Sequence, residues 1–257
     1  MGAAPIQVLA AASRPGPPEA ARPRLLIAGA TGALGDEVLR RLVGGQRYGQ
    51  AVVLAREAIT TGLRGVRLHC VPDSPPAQWT PLPADVGVVL FDPPRLFHDR
   101  ERALWTPQPG ELVALARWLR DGGAHTLAVV LPHAQGRLPE ALKRGLASLD
   151  EEAVAGLGFE RLLFVRSARK PAAAARGNAL QAVAHWMLSI ARFMVPASEQ
   201  PVRAASVAEL LAVALDWAPP GIHVAAPELV WQASQGSATQ VVRQWLAGGG
   251  ESCSATA

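Results

Sequence analysis

Short apolar runs separated by stretches of helical period constrain this chain more than any other feature. The runs cover residues 25–28, 51–55, 66–71, 86–91, 126–131 and 162–165. The run at 66–71 alternates, whereas the others are largely unbroken. Unbroken β-branched runs are strands buried on both faces, as parallel strands are when helices cover the sheet. Helical spacing falls between them: Leu34, Val38 and Leu42 over 35–43, and Leu112, Leu115, Ala116 and Leu119 over 111–120. A third helical stretch spans 139–157. The alternation predicts an α/β fold, a doubly wound parallel sheet.

Beyond Lys170-Pro171 the pattern turns mainly helical, with helices at 180–195 and 207–217 and a short strand at 222–225. Residues of about 172–235 are expected to form a small helical part on the substrate side. The 180–195 helix has one polar stripe, Gln181, His185, Ser189 and Arg192, and is otherwise apolar. Such a helix is buried, either within this part or in a homodimer face. A single domain is expected over 23–246, with flexible tails at 1–22 and 247–257.

Composition excludes several classes. No apolar run reaches the roughly 18 residues of a membrane span. The run at 6–12 is short and has no basic region before it, so no secretory signal is expected. Two cysteines, Cys70 and Cys253, cannot build a disulfide framework or a multi-cysteine metal site, and no Cys or His pair has zinc spacing. They suit a reducing compartment, and a cytoplasmic location is expected. The net charge of +4 comes from scattered arginines, which gives no support for a nucleic-acid partner. There are only one tyrosine, Tyr48, and two lysines, Lys143 and Lys170.

The segment Gly29-Ala30-Thr31-Gly32-Ala33-Leu34-Gly35 directly follows the first strand and opens the first helix. Gly29 suits a tight turn, Gly32 lets backbone amides approach a pyrophosphate, and Gly35 lets helix and strand pack closely. The helix start adds N–H donors and a favourable dipole. The second strand ends at Arg56, 21 residues after Gly35, where a dinucleotide fold reads the ribose. An arginine there pairs with the 2′-phosphate of NADP; NAD is the alternative. Asp73, after the third strand, is placed for the adenine amine or for a turn. The dinucleotide-binding set is thus Gly29, Thr31, Gly32, Ala33, Leu34 and Gly35, with Arg56 and Asp73.

On this glycine loop the chain resembles the atypical short-chain dehydrogenase/reductase superfamily. The layout is similar to its small NAD(P)-binding members, the Tat-interacting oxidoreductase-like and epimerase/dehydratase-like proteins. Val52-Val53-Leu54-Ala55-Arg56 resembles the family's second strand, and Asp85-Val86-Gly87-Val88-Val89 the strand beside the nicotinamide. Phe159-Glu160-Arg161-Leu162-Leu163-Phe164-Val165-Arg166 resembles its sixth strand. The likeness covers about residues 24–235 and implies a Rossmann-like fold that binds NADP or NAD.

The family's reductases use a Ser after the fifth strand and a Tyr-x-x-x-Lys on the next helix. Here the fifth strand ends Leu131-Pro132-His133, and the Tyr and Lys stations fall near Lys143 and Ala147. Tyr48 precedes the second strand, away from a nicotinamide. The resemblance therefore implies a dinucleotide-binding protein without the usual oxidoreductase apparatus, acting in binding, sensing or scaffolding. An active reductase or epimerase is the alternative, acting on an unidentified small molecule. It would use His133 as proton donor, Asp92 to orient it and Lys143 to hold a phosphate or ribose hydroxyl. The charged stretch Arg95, His98, Asp99, Arg100, Glu101 and Arg102 reads as a solvated loop or as a rim for an anionic group.

Overall fold

The computed structural model describes residues 22–59, 63–95, 98–133, 148–168 and 202–248. Seven strands form one sheet: β1 (Arg24–Ala28), β2 (Gln50–Ala55), β3 (Val66–Cys70), β4 (Val86–Leu90), β5 (Thr126–His133), β6 (Arg161–Ala168) and β7 (Gly221–Ala225). Their order is β3-β2-β1-β4-β5-β6-β7, and every neighbouring pair is parallel. The chain runs outward from β1 to β3, returns to β4 on the other side of β1, and runs outward again. That reversal is the topological switch of a Rossmann-like doubly wound fold, and ligands in such sheets bind at the carboxyl ends beside it.

Alternation along the strands divides the core in two. Leu25, Ile27, Val53, Val88 and Leu163 face α1 (Gly32–Gly44), α5 (Ala204–Trp217), α6 (Pro227–Gln235) and α7 (Ala238–Gly248). Leu26, Ala28, Leu54, Val89 and Phe164 face α3 (Leu112–Asp121) and α4 (Leu149–Ala155). In the second layer Trp79 stands edge-on to both Trp105 and Trp118, at 5.0 and 5.4 Å between ring centres. At the amino ends of the strands, Arg24 ties β1 to β4. Its backbone N–H donates to Asp85 at 2.7 Å and its Nε at 3.2 Å. Hydrogen bonding from the Arg24 side chain holds the Asp85 carboxyl below its ordinary value.

The anticipated strands are all present. β5 and β6 run further than their apolar runs, pairing Leu131 with Arg166, Pro132 with Ser167 and His133 with Ala168. Pairing of β5 to β4 stops at Val130, so Pro132 sits where the strand has a partner on one side. α1 begins at Gly32 rather than at residue 35, because the glycines themselves form its first turn. Of the stretch 139–157, the described part is α4, and the 180–195 helix lies outside the described residues. Residues 202–235 supply α5, β7 and α6 to the same layered sheet. Helices α6 and α7 were not evident from the sequence, and α7 runs to Gly248. Among the described residues no helix is long and apolar enough to cross a membrane.

Candidate functional site

The glycine loop leaves β1 at its carboxyl end, beside the end of β4. Gly29 and Gly32 have φ of +81° and +69°, a region that side chains with a Cβ rarely adopt. A Cβ on Gly29 would lie 2.0 Å from the Leu90 carbonyl oxygen. At Gly35 it would lie 2.4 Å from the Ala30 carbonyl carbon, so the close approach at Gly35 is between the helix start and the loop that follows β1. Thr31 is fully buried. Its hydroxyl does not cap α1; it donates to the Asp92 carbonyl at 2.5 Å and meets the Thr106 hydroxyl at 3.1 Å. Ala33 is exposed and Leu34 half-buried.

The loop amides already hold carboxyl groups of the chain. Gly32 N–H donates to Glu101 Oε2 at 3.0 Å, and Leu34 N–H donates to Asp92 Oδ2 at 3.2 Å. Glu101 belongs to α2 (Asp99–Arg102), a single turn that brings its side chain inward to 8% exposure. The same carboxylate accepts from Arg95 N–H at 2.8 Å and from Arg95 Nε at 2.5 Å. Burial pushes the Glu101 carboxyl up, but the hydrogen bonds from Arg95 and Gly32 outweigh it and hold it below its ordinary value. Glu101 is therefore ionised at neutral pH. Arg95 also lies 3.8 Å from Asp36 on α1.

Residues 103–111 continue from α2 as a strap across the carboxyl ends of β1 and β2. Arg56 N–H donates to the Ala103 carbonyl at 2.7 Å, and Trp105 N–H donates to the Leu54 carbonyl at 3.0 Å. Ala55 and Leu104 form an antiparallel bridge. Trp105 anchors the strap in the tryptophan cluster.

Two cavities flank the strap. One, of about 560 Å³, is lined by Arg56, Glu57, Asp73, Trp105 and Glu111, among others. The other, of about 430 Å³, has Phe91, Pro93, Pro94 and Pro132 on its lining together with Arg56 and Arg102. Both volumes are in the range of small-molecule sites. Arg56 borders both, and it shares the first with Asp73.

The structure thus gathers most of the anticipated residues at one edge: the glycine loop, Arg56, Asp73 and Asp92. Asp92 engages the loop through Leu34 N–H. His133 is the last residue of β5, opposite Ala168 in register, and its side chain lies outside the described residues, as does all of Lys143. Sequence reasoning missed the parts played by Glu101, Arg95 and Thr106. Arg100 and Arg102 are exposed as a solvated loop would have them, but Glu101 is not. Nothing in the local pattern of Asp99-Arg100-Glu101-Arg102 marks which acid turns inward.

The donor set fits the diphosphate of a dinucleotide in chemistry. The N–H groups of Gly32 and Leu34 stand at a helix start, and each holds a carboxylate. The place itself is taken by the chain's own side chains.

No family model matches the chain, and no curated protein matches it. Solved structures of similar course include the Citrobacter sp. triphenylmethane reductase, 14% identical over 79% of this chain and 68% of that one, with a TM-score of 0.49. The UDP-N-acetylglucosamine 4-epimerase of Bacillus cereus is 13% identical over 79% of this chain and 75% of its own, with a TM-score of 0.42. The Bordetella bronchiseptica enzyme WbmH, solved in complex with NAD+, is 12% identical over 81% and 79%, with a TM-score of 0.44. At these identities and scores the likeness assigns no residue and no ligand to this chain.

Proposed function

We propose that this protein binds a nicotinamide dinucleotide, NADP in preference to NAD, across the carboxyl edge of β1, β2 and β4. In this reading it works by binding, as a sensor or scaffold, and not through Ser/Tyr/Lys oxidoreductase chemistry. The observation that carries the reading is the glycine loop: Gly29 and Gly32 hold positive φ, and the amides of Gly32 and Leu34 donate to carboxyl oxygens. The diphosphate would take the N–H groups of Gly32 and Leu34, which suit an anion at a helix start. The adenosine end would occupy the cavity shared by Arg56 and Asp73. There the Arg56 guanidinium suits a 2′-phosphate. When bound, the nicotinamide supplies hydride chemistry; the described residues bring no tyrosine or lysine to that edge.

Calorimetric titration with NADP and with NAD tests this. Arg56→Ala is expected to weaken NADP by roughly tenfold or more, as loss of a charge-assisted hydrogen bond does, and to leave NAD nearly unchanged. Equal loss for both ligands would remove the 2′-phosphate role. Absence of heat with either ligand, in the wild type and in a variant with the loop amides freed, would overturn dinucleotide binding altogether.

A further inference from the structure

The diphosphate corner of this fold carries an occupant of its own. We infer that Glu101 is a built-in competitor for the ligand's diphosphate, and that Arg95 is the cation exchanged from Glu101 to phosphate when ligand binds. The inference rests on the dinucleotide reading above and names how that site is regulated.

The geometry is specific. An incoming phosphate oxygen at Gly32 N–H needs the position held by Glu101 Oε2, 3.0 Å from that nitrogen. The same carboxylate is gripped by Arg95 through both its backbone N–H and its side chain. It is buried, so it is not a surface acid passing near the loop. A second carboxylate, Asp92, stands on Leu34 N–H and lies 2.3 Å from where a Gly32 Cβ would be. Two carboxylates on the amides of one helix start leave neither of those donors free, and phosphate binding here requires that Glu101 leave. Its departure would strand a buried carboxylate or swing it to solvent, and it would free the Arg95 guanidinium. That guanidinium grips the carboxylate that sits on Gly32 N–H, and a phosphate arriving there would gain the same two-sided grip. Arg95 is exposed enough to follow. Affinity is thus set by a difference, phosphate on this corner minus Glu101 on it, and any contact that pulls Glu101 away raises affinity for the ligand.

Two probes separate this inference from the reading it rests on: NADP for the whole site and inorganic pyrophosphate for the corner alone. Both are titrated into the full-length wild type, Glu101→Gln, and the double variant Glu101→Gln/Arg95→Ala. Glutamine keeps the size and an acceptor but removes the charge, so the fold is expected to persist, checked by circular dichroism. Glu101→Gln is expected to bind each probe about tenfold more tightly than wild type, the size of one charge-assisted hydrogen bond. The double variant is expected to lose that gain. If wild type and Glu101→Gln bind NADP equally, the competition is overturned while dinucleotide binding stands. If neither binds NADP but Glu101→Gln gains on pyrophosphate, the competitor role stands and the dinucleotide reading falls. If pyrophosphate affinity is also unchanged, both fall. A double variant that retains the full gain overturns the role of Arg95.

Discussion

At the scale of single residues, Gly32 shows how tightly the loop is determined. Its φ of +69° excludes a relaxed side chain, and a Cβ would meet the Asp92 carboxylate at 2.3 Å. Gly32→Ala is therefore expected to lower stability by roughly 1–3 kcal/mol, the cost of such backbone strain, read as a fall in the urea midpoint. An unchanged midpoint would mean that Asp92 does not pack against the loop. The substitution also disturbs the ligand corner, so it separates fold from binding less cleanly than Glu101→Gln does. The glycines were legible in the sequence because their constraint is local: a turn after a strand and before a helix. Glu101 was not, because its place is decided by Gly32 and Arg95, one of them 69 residues away in the chain.

At the scale of elements, the strands were legible because a strand buried on both faces is written as an unbroken apolar run. The strap of residues 103–111 has no such period. It is held by backbone bonds to the ends of β2 and by Trp105, and none of these is visible without the sheet. A second element-level joint lies at β6. Arg166, 2% exposed, donates to Glu151 of α4 at 2.7 Å, and the Ser148 hydroxyl accepts from Glu151 N–H at 3.2 Å as the helix cap. This pins α4 against the sheet beside Leu131. Removing Glu151 takes this ion pair from the buried Arg166, and breaking a buried pair costs about 3–5 kcal/mol. Glu151→Ala is expected to show a loss of that size in chemical denaturation. Glu151→Leu combined with Arg166→Met is expected to lose much less, because neither charge is then left behind. Equal losses in the two variants would show that the joint works through packing and not through charge.

At the scale of the whole molecule, a parallel sheet has two different ends, and chemistry at one is out of reach of the other. The glycine loop, Arg56, Asp73 and the strap share the carboxyl end. Tyr48 lies in the turn between α1 and β2, at the amino end, separated from Arg56 by Gly49 and the six residues of β2. That strand is about 20 Å long, so the chain's one tyrosine is excluded from the ligand edge by topology. It packs against the core layer that holds α1 and α5. Burial pushes its phenol up to about 12, with Asp216 acting in the same direction and Arg47 and Arg161 against it. The folded state thus favours the neutral phenol. Its contribution to stability is complete below about pH 10, the value of an exposed tyrosine, and is lost as pH rises towards 12. Because there is one tyrosine, phenolate absorbance reports this group alone, and a midpoint near 12 in the folded protein is expected. A midpoint near 10 would put the ring in solvent. Tyr48→Phe is expected to leave NADP affinity unchanged, because no part of the ring approaches the carboxyl edge. A loss of affinity in that variant, with the fold intact, would break the separation between the two ends on which the assignment of the site depends.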